Sequence, residues 1–276
     1  MTHKLPALTV KLCLTLLLSP LLLLASPHRD ATAAKSIVFT DDGSAIPPAS
    51  EYIQDGLVAM WDGVENVGYN VHHPRPSAWI DLIGGSTFSI TSADTITKNG
   101  IVFNRAVVSS TLRYDTNKVY SVFHTCRFYN PTRSSKCIFL LLSVGTSSSV
   151  GAYSFNEGIP IRVFRGVNWR TMVSQSEWPA DDTFAGQIGI SYSVIKSADS
   201  PTNLCVMYRN GQQFYALRGP SWYFNYDFYS SGSYRINTPS AVLEQEVYSI
   251  KIYDRELSPE EVAYNYDLDR LRFNLP

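Results

Sequence analysis

Residues 246–273 read EVYSIKIYDRELSPEEVAYNYDLDRLRF, and the fold is decided there. The first part alternates. Val247, Ser249, Lys251 and Tyr253 fall on one side, and Tyr248, Ile250 and Ile252 on the other. A period of two in β-branched and aromatic residues predicts a strand. Ser258-Pro259-Glu260-Glu261 then opens a helix. Ser258 is placed to cap the orphan amides, Pro259 occupies the first helical position where no N–H is missed, and Glu261 completes a capping box. Leu257 and Val262 flank the cap as a hydrophobic staple. The segment therefore predicts a long strand, a turn at residues 254–257 and a short closing helix.

Working back from that end, the domain opens near Gln54. Gly56-Leu57-Val58-Ala59-Met60-Trp61-Asp62-Gly63 reads as a strand stopped by Asp-Gly, and Ala78-Trp79-Ile80-Asp81-Leu82-Ile83-Gly84-Gly85 follows a loop rich in Asn, His and Pro. Asn99-Gly100 then turns into a third strand at Ile101-Val102-Phe103. Between the two ends lie strand-like runs at 119–129, 136–144, 159–165, 171–174, 187–195, 204–209, 212–216 and 221–228. Asn210-Gly211 is the strongest hairpin signal, because both residues accept the positive φ of a type I′ turn. No internal repeat is found, and no helical periodicity precedes Ser258. Many short strands with one terminal helix predict an all-β fold, a two-sheet antiparallel jelly-roll sandwich.

Both ends resemble laminin-G-like modules of the concanavalin-A-like lectin/glucanase superfamily. Tyr253, Asp254, Arg255, Leu257, Ser258, Glu261 and Val262 fill the closing pattern, with Asp for the commoner Asn. Gly-Leu-Val-Ala-x-Trp, Trp-x-Asp-Leu-x-Gly-Gly and Asn-Gly-hydrophobic-x-Phe match the opening. Asn104-Arg105 departs from the Asp-Gly that often follows there, so no ligand role of that turn carries over. The resemblance spans about residues 54–273 and implies a scaffold rather than a chemistry.

The whole chain has 276 residues, a formal net charge of −1, 45% hydrophobic and 13% aromatic residues, with 17 Tyr and 13 Phe. That excludes a disordered class and gives no electrostatic case for nucleic acid. Lys4 and Lys11 precede an apolar run at 12–25 that is short for a membrane span and contains Pro20. The expected organisation is a signal peptide over 1–33, a linker over 34–50 and one sandwich domain over 51–276. Cleavage falls after Ala33 or after Ala25. The location implied is secreted or cell-surface, with no stable membrane span once the leader is gone. Four cysteines occur in all. Removing the leader leaves Cys126, Cys137 and Cys205. Cys126 and Cys137 flank a candidate hairpin loop, where cross-strand distances would permit a disulfide; the alternative is small buried hydrophobes.

A glucanase on such a scaffold carries Glu-hydrophobic-Asp-x-x-Glu along one strand, at the separation retaining hydrolysis needs. No such run occurs. Glu244 and Glu246 read as solvated charge at a strand edge, and Asp267 and Asp269 as an exposed helix end. The expectation is that the chain is not an enzyme and needs no cofactor. Calcium is the one metal the donors allow, from Asp62, Glu65, Asn66 and Asp81, against turn-forming roles for the same side chains. His72-His73 point opposite ways on an extended chain and cannot share an ion.

Binding remains, and sugar rings pack their C–H faces on aromatic surfaces. Trp169, Trp178 and the run 221–229 are the loop candidates. Alternation in that run puts Tyr223, Asn225 and Asp227 on an amphipathic face, opposite Trp222, Phe224, Tyr226 and Phe228. Trp61 and Trp79 read as core. The expected partner is a glycan, with a cell-surface protein as the alternative ligand of a structural or adhesive sandwich. Protein recovered from outside the cytoplasm should begin beyond Ala25. N-terminal sequencing that still returns Met1 would contradict the leader.

Overall fold

The computed structural model describes residues 38–39, 45–65, 77–103, 108–109, 118–129, 136–143, 149–154, 161–165, 168–171, 183–193, 201, 204–220, 232–236 and 244–276. In chain order the strands are β1 (Val38–Phe39), β2 (Ala45–Ile46), β3 (Leu57–Asp62), β4 (Ala78–Ile80), β5 (Thr87–Ser89), β6 (Thr95–Ile96), β7 (Ile101–Phe103), β8 (Val108–Ser109) and β9 (Val119–Tyr129). They continue with β10 (Lys136–Ser143), β11 (Ser149–Ser154), β12 (Ile161–Arg165), β13 (Asn168–Thr171), β14 (Thr183–Ser193), β15 (Leu204–Arg209), β16 (Gln212–Arg218), β17 (Gly232–Ile236) and β18 (Gln245–Tyr253). Helix α1 (Pro259–Phe273) closes the chain.

Two antiparallel sheets make the sandwich. One orders its strands β16-β15-β14-β9-β18-β7-β6, with β3 also paired to β18, and the other β13-β12-β11-β10-β17-β8. Their facing residues share one core. Val122, Ile188, Ile190, Ile250 and Ile252 of the eight-stranded sheet meet Tyr234 and Ile236 of the six-stranded one, and Trp61, Trp79 and Phe88 close one side. Both tryptophans are core, as the sequence predicts. The all-β sandwich with a short C-terminal helix is the fold observed.

The eight-stranded sheet is buried on its other face too. Leu57, Phe123, Tyr208, Tyr253, Leu257 and Val262 form a second cluster beneath α1, together with Ala49 and Tyr52. Residues 45–50 fall within the expected linker, yet Ala49 is buried there and the Pro47 carbonyl accepts from Arg272 of α1. The end of that stretch packs as part of the sandwich rather than as spacer.

The helix begins as its sequence dictates. Glu261 N–H donates to Ser258 Oγ at 3.2 Å, and Ser258 N–H donates to Glu261 Oε2 at 2.8 Å. Glu261 also takes a two-pronged bond from Arg255, at 2.8 and 2.7 Å, which fixes the turn before the helix. Asn210 and Gly211 both have positive φ, 50° and 76°, as the hairpin turn requires.

The strict alternation expected of β18 is broken. A register shift between Val247 and Ser249 places a bulge at Tyr248. Gln245, Val247, Ile250 and Ile252 face the other sheet, while Tyr248, Ser249, Lys251 and Tyr253 face the helix side. One extra residue shifts the phase, so an unbroken period of two misassigns both Val247 and Tyr248. β18 is also central rather than an edge. Glu246 is no solvated charge: its two oxygens accept from Thr97 Oγ1 at 2.7 Å and Tyr248 OH at 2.9 Å.

The expected Cys126–Cys137 hairpin does not form. β9 pairs with β14 and β18, whereas β10 pairs with β11 and β17, so the chain crosses between sheets there. Cys126 is a buried thiol outside any disulfide.

Candidate functional site

Tyr223, Asn225, Asp227 and Trp178 lie outside the described residues, as does Asn66 of the calcium candidates. Trp169 is not on a loop. It belongs to β13, the edge of the six-stranded sheet, directly across from Phe164.

The described calcium candidates are engaged otherwise. Asp81 Oδ1 accepts from Met60 N–H and Ile83 N–H, both at 2.8 Å, and its Oδ2 accepts from Gly84 N–H at 2.9 Å and Ser86 N–H at 3.3 Å. Backbone amides thus take both oxygens, and the carboxylate holds a turn. Asp62 Oδ1 accepts from Arg272 Nη2 at 2.7 Å and from Val64 and Glu65 N–H at 3.0 and 2.9 Å. Glu65 Oε1 lies 3.5 Å from Arg272 Nη1. A guanidinium stands where an ion would have to bind. Among the described residues no group of three or more His, Cys, Asp or Glu comes together to hold a metal.

The densest polar constellation among the described residues centres on Asp269, which the sequence reading placed at an exposed helix end. Asp269 is fully buried. Its Oδ1 accepts from Lys251 Nζ at 2.6 Å, Tyr52 OH at 2.7 Å and Ser249 Oγ at 3.3 Å. Its Oδ2 accepts from Thr125 Oγ1 at 2.6 Å and Gln187 Nε2 at 2.7 Å. The donors come from β18, β9, β14 and the segment before β3. Val262, Asn265, Asp269 and Arg272 are buried on one face of α1, at spacings of three and four that put them over the sheet. Burial drives Lys251 toward its neutral form, and Asp269 opposes that. Burial, then Asp269, raises the Tyr52 phenol. The Lys251 ammonium sits 4.3 Å from the centre of the Tyr52 ring, a second source of stabilisation. Every partner is enclosed, so the cluster is a latch between helix and sheet rather than a ligand site.

A second polar group crosses the sandwich. Tyr234 OH of one sheet lies 2.6 Å from His124 Nδ1 of the other, and His124 Nε2 lies 2.9 Å from Gln245 Oε1. An amide oxygen only accepts, so Nε2 carries the proton and Nδ1 accepts from the tyrosine. Burial lowers the His124 pKa from 6.5 to about 4, with Gln245 acting the other way. The imidazole is therefore neutral at ordinary pH. Cys205 is buried as well, and burial pushes its thiol up to about 12, so it is no nucleophile.

Sequence reasoning missed Asp269, Lys251, His124 and Gln245 as interior polar residues. The helical spacing 262-265-269-272 was the available signal for Asp269. Nothing local marks His124, whose partners are 110 and 121 positions away.

No protein-family model and no curated protein matches the chain. Solved structures do. Trypanosoma rangeli sialidase is 15% identical with a TM-score of 0.52, over 83% of this chain and 34% of its own. A mutant of that sialidase displaying trans-sialidase activity is 15% identical with a TM-score of 0.55, over 83% and 35%. A mutant of HCR/D is 9% identical with a TM-score of 0.55, over 77% of this chain and 51% of its own. The chain spans about a third of the length of these sialidases. At such identities the likeness shows the fold alone. One expectation falls with it. The chain cannot be set down as not an enzyme, because solved structures sharing its fold include sialidases. The missing glucanase carboxylates are no ground for setting catalysis aside.

Replacing Asp269 by Ala should cost about 3–5 kcal/mol, since it strands a buried lysine; denaturant unfolding measures this, and a loss under ~1 kcal/mol would contradict the latch. His124 gives a pH signature. Its folded pKa is about 4 against 6.5 unfolded, so the unfolded chain takes up the proton first as pH falls. Stability should drop by about 3 kcal/mol between pH 6.5 and pH 4 through this group, and no further below. Unfolding curves of His124→Gln should show a correspondingly flatter slope across that window; an unchanged slope would contradict the assignment.

Proposed function

We propose that the chain is an extracytoplasmic carbohydrate-binding module of the laminin-G-like, concanavalin-A-like kind. The observation that carries this is the two-sheet sandwich itself, whose solved likenesses include a sialidase in complex with sialic acid. The matching motifs at both ends of the domain support the superfamily, and the apolar leader with its small-residue sites supports export. No described helix is long and apolar enough to cross a membrane. Binding a glycan is common to a lectin and to a glycosidase, so the reading does not depend on whether the chain also catalyses.

Tyr223, Asn225 and Asp227, joined by Trp178, are proposed as one contact region. Tyrosine supplies a stacking surface. Aspartate and asparagine accept from vicinal hydroxyls, and asparagine donates as well. A glycan array probed with the leaderless chain should give saturable sugar binding; uniform blanks beside capture of a cell-surface protein would overturn the reading. Tyr223→Ala should weaken binding of the identified sugar with the melting temperature nearly unchanged. Trp222→Ala should destabilise by roughly 3–5 kcal/mol if the alternation puts that residue in the core. Reversed effects would mean the register of 221–229 is off by one.

A further inference from the structure

Exposed apolar side chains are ordinary when scattered and informative when they gather. Among the described residues five large ones are exposed, and three of them fall within four positions: Ile80 at 51%, Leu82 at 40% and Ile83 at 48%. The other two, Tyr264 and Leu271, are single positions on α1.

The hairpin of β4 and β5 explains how the three come together. Trp79 pairs with Phe88 and both are buried in the core, so the next pair, Ile80 with Thr87, turns away from it. Leu82 and Ile83 follow in the connection between the strands. Backbone groups pin that connection. Besides the amides held by the Asp81 carboxylate, Asp81 N–H donates to the Ser86 carbonyl at 2.8 Å and Leu82 N–H to the Met60 carbonyl at 2.7 Å. Gly85 supplies a positive φ, 72°, that brings the chain back. The turn is thus fixed through its backbone, and Leu82, Ile83, Gly84 and Gly85 stand exposed in a row.

Charge agrees with this. From Ser77 to Ala93 the only ionisable residue is Asp81, which is buried against those amides. No ionised group of the hairpin tip would be desolvated on entering an apolar phase.

Shape and size choose the occupant. Small ligands take concave sites, whereas a run of exposed residues at a turn is a projection. A stable dimer buries about 800 Å² on each partner, far more than three half-exposed side chains offer. A lipid bilayer sets no such threshold, because binding to it scales with whatever apolar area is taken up.

We propose that the β4–β5 tip, formed by Ile80, Leu82 and Ile83, inserts into the outer hydrocarbon of a lipid bilayer and sets the sandwich against a membrane surface. The contact is shallow and reversible, not a span. Three aliphatic side chains carry fewer carbons than a myristoyl chain, whose own affinity is only about 10⁴ M⁻¹, so the tip alone binds no tighter than that. The inference stands independently of the carbohydrate reading.

Flotation with phosphatidylcholine vesicles tests it on the leaderless chain, since the apolar run at 12–25 would bind lipid by itself. That run lies outside the compact unit over Ile37–Pro276. Native protein should float at about 10 mM lipid, equally in low and high salt. The Ile80→Thr/Leu82→Ser/Ile83→Ser variant should lose about tenfold or more in partitioning. Its melting temperature should hardly move, because all three sites are exposed. Leu271→Ser, which removes an exposed leucine from α1, should float as the native chain does. Should the triple variant fail to fold, Ile83→Trp decides: the added indole emission should shift to the blue on mixing with vesicles, relative to the native chain. No flotation at about 10 mM lipid, where a tip ten times weaker than a myristoyl chain would still be mostly bound, would overturn the proposal. So would a folded triple variant that floats as native, an Ile83→Trp emission unmoved by vesicles, or flotation that needs anionic lipid and vanishes in salt. Lipid-free self-association in sedimentation velocity, abolished by the triple variant, would assign the tip to a second copy of the chain and overturn it as well.

Discussion

A single buried carboxylate organises one side of this molecule. An isolated ion in a protein interior costs several kcal/mol, and its burial is tolerable only with a counter-ion and hydrogen bonds to the remaining lone pairs. Asp269 has both, in Lys251 at 2.6 Å and four further donors. Those donors sit on three neighbouring strands and on the segment before β3, so the carboxylate is satisfied only when α1, the sheet and that segment are assembled together. Asp62 with Arg272 repeats the device one turn along the helix. The capping box at Ser258 and the bulge at Tyr248 are its local preconditions. The first starts the helix at a fixed residue, and the second brings Ser249 and Lys251 to the face that the helix covers.

The consequence is a sheet whose central strands are enclosed on both faces, by the other sheet and by α1 with residues 49–53, while the edge strand β16 leaves Gln212, Gln213, Ala216 and Arg218 exposed. Its polar interior residues are spent on cohesion. His124 extends this across the sandwich by bonding Tyr234. The six-stranded sheet contributes Tyr234 and Ile236 to the same core.

What the sequence made legible was local. A capping box, a hydrophobic staple and an Asn-Gly turn are each written within a few residues, and each is found where it was read. What it hid was long-range. Asp269 looked solvated because charged residues on a terminal helix usually are, and Tyr52, which donates to it, lies 217 positions away. Cys126 and Cys137 looked like hairpin partners because hairpins are the commonest short connection. The chain instead steps between sheets at that point, which no short window reveals. Trp169 was noticed as an aromatic residue, but its place on an edge strand across from Phe164 comes only from register. The amphipathic run at 221–229 was read from alternation alone and falls outside the described residues.

The central claim is that the buried Asp269 carboxylate holds α1 and the segment around Tyr52 on the eight-stranded sheet. Hydrogen–deuterium exchange of the leaderless chain beside its Asp269→Asn variant tests this most directly. Protection of α1 and of residues 49–53 should drop in the variant. Unchanged protection of α1 and of residues 49–53 would contradict the account.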